Sequence, residues 1–217
     1  MDATTVRGRE RSQPLPPAGA QPEPVFGGGE HPQSRPEPAP QPLKVGVAIG
    51  IPEPWGSQLD RSRAATGDPL APFVPAHVTL LGPTELKPGA LPSVEQHLAG
   101  VAAGHRPYVV SLRGTGTFRP VTEVVFVTVA GGVRQCERLA GAIRSGPLER
   151  ELLFPYHPHV TVAHDIPSEA LDTVYAELSG FTARFTVDRF TLYVHGTDGR
   201  WRPVRDFPLG RAGTRAR

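Results

Sequence analysis

Two stretches of the 217-residue chain repeat one tripeptide that could do chemistry. PAHVTLLGP contains His77-Val78-Thr79, and PYHPHVTVAH contains His159-Val160-Thr161, 82 residues further on. A histidine two places before a hydroxyl residue is a weak signal by itself. With 8 histidines and 25 serines and threonines, composition alone produces about one such pairing. His195-Gly196-Thr197 is a third case, and it runs into the turn-forming Asp198-Gly199. The pair at 77 and 159 shares more than the tripeptide. Both follow a proline-containing approach (VPAH, YHPH), and both continue as Leu or Val inside a strand-like run.

The spacing has a physical meaning. Side chains at i and i+2 of a strand face the same side. His77 therefore projects with Thr79, and His159 with Thr161. Val78, Val160, Leu80 and Val162 point the other way and can anchor the strands. If the two strands are neighbours, two imidazoles and two hydroxyls line one cleft. Histidine changes its protonation near neutral pH. One imidazole can take a proton from water or a ribose hydroxyl, and the other can give one to a leaving oxygen. The threonine hydroxyls can donate to phosphate oxygens as charge builds on them. That set suits metal-free phosphoryl chemistry by in-line displacement.

The elements that must hold these residues can be read around them. LKVGVAIGI (43–51) and VPAHVTLLG (74–82) read as strands, with a helix in 52–67 between them. Residues 90–104 read as a helix, with Leu91, Val94, Leu98 and Val101 at helical spacing and Ser93-x-x-Gln96 as a capping box. Strands follow at 107–114 and 123–130. The second half has the same make-up. Residues 133–146 form a helix with Val133, Cys136, Leu139, Ala140 and Ile143 on one face, so Cys136 is read as core. HPHVTVAH is a strand, and 168–180 a helix with Ser168 as N-cap and Gly180 as stop. Residues 181–196 hold one long strand or two short ones, and 200–209 a last edge strand whose Trp201 and Phe207 cover the core. The expected fold is α+β, with two similar lobes of mostly antiparallel sheet, helices outside and a central cleft.

Paired His-x-Thr-hydrophobic motifs in this setting resemble those of the 2H phosphoesterase superfamily. Within it the chain is similar to the 2′-5′ RNA ligase / RNA 2′,3′-cyclic phosphodiesterase family over roughly 44–209. KVGVAIGIP, PAHVTLLGP, FRPVTEVVFVTVA, YHPHVTVAH and FTVDRFTLYV correspond in order. The resemblance implies a bilobal fold, cyclic phosphodiesterase or 2′-5′ RNA ligase-type activity, and no metal or other cofactor. Carried over, the catalytic groups are His77 and His159, and the phosphate-binding groups Thr79 and Thr161. The second motif in the family is often followed by Ala-Arg, whereas here Ala163 is followed by His164. This departure bears on RNA preference more than on the chemistry. In an alternating strand His164 faces away from His159, unless a bend after Ala163 returns it.

Rim candidates are Tyr156, Phe118, Arg119 and His164. Tyr156 precedes the second motif, and Phe118 and Arg119 lie in the glycine-flanked RGTGTFRP, which lacks the lysine of a phosphate-binding P-loop. His157-x-His159 invites a zinc reading completed by His164 or His77. No cysteine cluster, HExxH or nearby carboxylate pair supports it. A second alternative is a module of the same fold that binds nucleotides or RNA ends without turnover.

Composition bounds the rest. Residues 1–42 hold 10 of the 26 prolines and few bulky apolar residues, so a disordered tail is expected there. A basic disordered end is expected at 211–217, leaving a domain at 43–210. The tail at 1–42 has a net charge of −1 and the end +3. The total of +2 then leaves the domain neutral. Long duplex nucleic acid is not an expected partner, because such binding needs many cations on phosphates. A small cyclic phosphate or an RNA 3′ end needs only a few. No run of about 18 apolar residues suggests a membrane span. One cysteine permits no intrachain disulfide. A soluble, cytoplasmic monomer is expected.

Overall fold

Alternating and continuous apolar runs account for eight strands in the computed structural model, which describes residues 42–210. The tails expected at 1–42 and 211–217 lie, except for Pro42, outside the described residues. The strands are β1 (Leu43–Gly50), β2 (His77–Leu86), β3 (Tyr108–Thr117), β4 (Val124–Gly131), β5 (His159–His164), β6 (Thr182–Val187), β7 (Arg189–His195) and β8 (Trp201–Pro208). The helices are α1 (Trp55–Ala65), α2 (Leu91–Gly104), α3 (Val133–Ile143) and α4 (Ser168–Glu177). The strands form one curled antiparallel sheet in the order β6-β3-β4-β5-β2-β1-β7-β8.

That order divides the sheet into two lobes of four strands. One is β2-β1-β7-β8 and the other β5-β4-β3-β6. Only one residue pair joins them, Val78 opposite Val160, and both valines are fully buried. The lobes are not simply the two halves of the chain. The first combines strands from both ends of the domain, and the second is built from its middle. Two helices also cross over. α1 leaves β1 and packs against β5 of the other lobe, with Trp55 against Phe185 of β6 at 6.2 Å between ring centroids. α3 leaves β4 and packs against β2. α2 and α4 stay with the lobes they follow, α2 against β8 and α4 against β3, β4 and β5.

A single apolar core runs beneath both lobes. β6 alternates exposed and buried along its whole length, as expected of a strand covered on one face. The segment 181–196 resolves into two strands separated at Asp188, because β6 pairs with β3 in one lobe and β7 with β1 and β8 in the other. Cys136, Leu139, Ala140 and Ile143 of α3 are fully buried, as the helical spacing predicts. Phe207 is buried, but Trp201 is only partly so and faces a cavity.

Both capping expectations are corrected. α2 begins one turn earlier than a Ser93 cap allows. Ser93 lies inside the first turn and donates its hydroxyl back to the Ala90 carbonyl at 2.7 Å. Ser168 is the first helical residue of α4, and Pro167 holds the cap position. Pro92 is the second residue of α2, after Leu91 and the Ala90 cap, and neither helix start carries a side-chain cap bond.

Leu139 is fully buried in the core on the inner face of α3. Leu139→Ala should lower unfolding stability by about 2–5 kcal/mol, measured by urea denaturation with an unchanged m-value.

Candidate active site

β2 and β5 begin with their histidines, and the backbone just upstream sets each ring in the same way. His77 Nδ1 lies 2.7 Å from the Pro75 carbonyl oxygen, and His159 Nδ1 lies 2.7 Å from that of His157. A carbonyl can only accept, so each Nδ1 carries the proton. The neutral tautomer then leaves the Nε2 lone pair as an acceptor. His77 Nε2 is 3.0 Å from the Thr79 hydroxyl, which is placed to donate to it. Thus one local pattern, a carbonyl two residues before the histidine, fixes the tautomer twice.

The strand pairing shows a second repeat. In β2, Leu81 lies opposite Val47 and Thr79 opposite the next residue, Ala48, so Leu80 is an extra residue. In β5, Ala163 lies opposite Val125 and Thr161 opposite Phe126, so Val162 is extra. Each motif strand therefore has a β-bulge one residue past its threonine. The inserted residue reverses the alternation, and the bulge residue and its successor are both buried in each strand. His164 is returned to the same side as His159 and Thr161, and its counterpart in β2 is Gly82.

His77, Thr79, His159, Thr161, Gly82 and His164 together line a cavity of about 330 Å³. The structure thus brings the four carried-over residues into one cleft. Phe118 closes one side. Its ring stands edge-on to His159, 5.0 Å between centroids, and packs on Phe126 at 4.5 Å. Gly116 makes this stack possible, because a Cβ there would collide with the Phe126 ring. Gly116 of RGTGTFRP thus has a packing role, while Gly114 takes a positive φ of 61°. Tyr156 does not line this cavity. It borders a neighbouring one and donates its hydroxyl to the Thr79 carbonyl at 2.9 Å, bracing β2. Arg119 faces away from the cleft, paired with Asp172 of α4 at 2.6 Å. His164 pairs with Asp165 at 3.3 Å. Among the described residues, no three His, Cys, Asp or Glu side chains converge as a metal site.

One contributor to the cavity was not found by sequence motif. Arg63 of α1 lines it, although only 6% exposed, and its Nε bonds Asp68 at 2.7 Å. Asp68 also accepts from the Leu70 amide at 2.8 Å, and Asp60 from the Ala76 amide at 2.7 Å. α1 therefore tethers the segment that delivers His77. The available signal was an arginine four residues after Leu59, on the helix face that α1 buries. Trp201 and Tyr193 complete the apolar wall of the cavity.

Burial sets the electrostatics. Desolvation lowers the pKa of both histidines, outweighing the bonds to Pro75 and His157 that favour the charged rings. Arg63 lowers His77 further, against a smaller opposing effect of Asp60. His157 and His77 both lower His159. At neutral pH both rings are neutral.

Known proteins share the bilobal α+β fold. The sequence profile described as the 2′-5′ RNA ligase superfamily matches residues 51–199. The chain belongs to that superfamily. It is 26% identical over 171 residues to the "Putative phosphoesterase OB1230" of Oceanobacillus iheyensis, covering 78% of this chain and 99% of that protein. It is 29% identical over 175 residues to a Bacillus pumilus protein of the same description, covering 79% of this chain and 100% of that one. Escherichia coli LigT without ligand shares the fold, with a TM-score of 0.58 at 23% identity over 79% of this chain and 99% of that one.

The lowered pKa values have a direct check. Proton–nitrogen NMR titration should place the midpoints of His77 and His159 below the ordinary histidine value of about 6.5, with Nδ1–H as the neutral tautomer. The folded state then refuses protons that the unfolded chain accepts. Stability should therefore fall as pH drops below about 6.5. A midpoint above 6.5 for either ring would contradict the desolvation argument.

Proposed function

We propose that the protein opens cyclic phosphodiesters, such as the 2′,3′-cyclic phosphate of an RNA end or nucleotide, by acid–base catalysis between His77 and His159. The observation that carries this reading is the pair of Nδ1-locked imidazoles whose Nε2 atoms face one cleft from opposite lobes. E. coli LigT, which shares the fold, has been crystallised with phosphate and with 3′-AMP. A site for a small nucleotide is in keeping with both.

In the ring-opening step, a neutral Nε2 removes a proton from water as the oxygen attacks phosphorus. The bond from phosphorus to one ribose oxygen breaks on the far side. The other histidine, protonated at Nε2, gives its proton to that oxygen. The products are a ribose hydroxyl and a phosphomonoester, and the two rings have exchanged protonation states. Thr79 and Thr161 donate to the non-bridging oxygens, where charge increases. A 5′-hydroxyl in place of water gives a phosphodiester by the same displacement, which is the ligase direction. The anionic substrate also reverses the desolvation effect. A negative phosphate between the rings favours their charged forms, so binding itself helps to supply the acid.

Hydrolysis of a nucleoside 2′,3′-cyclic phosphate should proceed with EDTA present. His77→Ala and His159→Ala should each lower kcat by about 10²–10⁴-fold, since each removes one proton-transfer partner. The pH profile of kcat/KM should be bell-shaped, with its maximum below about 6.5, because both groups titrate low in the free protein. Activity that survives the double substitution, or that EDTA abolishes, sinks the reading.

A further inference from the structure

A second cavity of about 490 Å³ adjoins the first and shares Thr79, Phe118 and His159 with it. The two halves of this cleft differ in character. The first is walled by Leu70, Val74, Tyr193 and Trp201, and its buried cation, Arg63, is already bound to Asp68. The second contains Arg144 and Arg150, neither of which has a carboxylate partner among the described residues.

Both arginines are held in place by groups that leave their charge uncompensated. Arg144, just past the end of α3, donates Nη1 to the Leu80 carbonyl at 3.2 Å, and its guanidinium lies over the Tyr156 ring at 4.5 Å. Arg150 donates Nη1 to the Pro83 carbonyl at 3.2 Å and the Thr84 hydroxyl at 3.0 Å. Each contact uses one nitrogen of a five-donor fork, so donors remain for a ligand. A half-buried guanidinium facing only carbonyls and an aromatic ring is a costly arrangement unless an anion arrives, and burial already lowers the Arg144 pKa. Both anchors are on β2, Arg144 at the bulge residue Leu80 and Arg150 beyond it at Pro83 and Thr84, which ties the arginines to the strand that carries His77 and Thr79. Phe154, 63% exposed, borders the same cavity and offers a stacking face.

We propose that Arg144 and Arg150 form a subsite for a second phosphate of the substrate. The cleft then selects a cyclic phosphate on a nucleotide that bears a further phosphate over a bare nucleoside cyclic phosphate. This rests on the reading of the His77–His159 site given above. The second phosphate has two sources, the phosphodiester that joins a terminal nucleotide to an RNA strand, or the 5′-monophosphate of a single nucleotide.

The test compares kcat/KM for adenosine 2′,3′-cyclic phosphate, its 5′-phosphorylated form and a dinucleotide ending in the cyclic phosphate. The wild type should favour at least one doubly phosphorylated substrate by about tenfold or more, as expected of charge-assisted hydrogen bonds. Preference for both identifies a site that reads phosphate alone. Preference for the dinucleotide only identifies an RNA end. Arg144→Gln with Arg150→Gln should bring the ratio close to one, while Arg144→Lys should retain part of it. Should the double variant fail to fold, Arg150→Gln, an exposed side chain, should still reduce the ratio severalfold. Calorimetric titration with adenosine 3′,5′-bisphosphate against 3′-AMP separates this proposal from the catalytic one, because it needs no turnover. Absence of hydrolysis of every cyclic phosphate defeats the catalytic reading alone. A bisphosphate that binds no tighter than 3′-AMP, or a substrate ratio unchanged in the arginine variants, overturns the subsite.

Discussion

The sheets of the two lobes pair at one position, Val78 opposite Val160, at the middle of the eight-stranded order. Both valines are fully buried, so the seam is fixed by packing beneath it rather than by a long ladder of hydrogen bonds. Everything in the cleft depends on this contact. Each valine is flanked by its histidine and its threonine, which must project to the opposite side of the sheet. Joining the valines in the core therefore brings the imidazoles and hydroxyls together above it. The crossed helices reinforce the seam. α1 and α3 each leave one lobe and pack against the motif strand of the other, so neither lobe completes its core alone.

A strict two-residue alternation would send the residues at 82 and 164 away from the cleft. The paired bulges at Leu80 and Val162 return them to it. A bulge costs a ladder position and locally increases twist. Here it occurs at the same place in both motif strands, together with the same Nδ1–carbonyl bond. The pseudo-symmetry thus extends from the element order to single backbone irregularities. The two sites still differ where they are flanked. Gly82 is open where His164 carries a ring, and Arg63 lies near His77 where His159 meets Phe118 and Phe126.

The electrostatic character of the cleft follows from what is buried with it. Two neutral, desolvated imidazoles make poor cations until a negative group lies between them. Arg63 adds positive potential, but Asp68 already neutralises it at close range. The free charge is further along, at Arg144 and Arg150. A gradient therefore runs from an apolar, aromatic end past the histidines to a cationic end.

Much of the fold and the core of the candidate site were legible in the residues. Helical spacing marked α2 and α3, apolar runs marked the strands, and the repeated His-Val-Thr distinguished His77 and His159 from the decoy at His195. These are local features with a period of two or 3.6 residues, which adjacent residues set by themselves. Arg63, Arg144 and Arg150 were not legible, because no local spacing marks them; Arg144 and Arg150 are anchored on β2, 64 and 67 residues away in sequence. Arg119 shows the opposite failure, since its neighbour Phe118 enters the cleft while its own charge is taken by Asp172. The caps of α2 and α4 were misread because each serine already lies inside its helix, with Ala90 and Pro167 at the cap positions. What the sequence by itself determined was which side chains the two motif strands present on one face, since side-chain type and alternation are local properties. Only the tertiary structure decided the pairing of β2 with β5, the bulges that turn His164 inward, and the arginines that border the cleft, because these depend on which distant segments share one core.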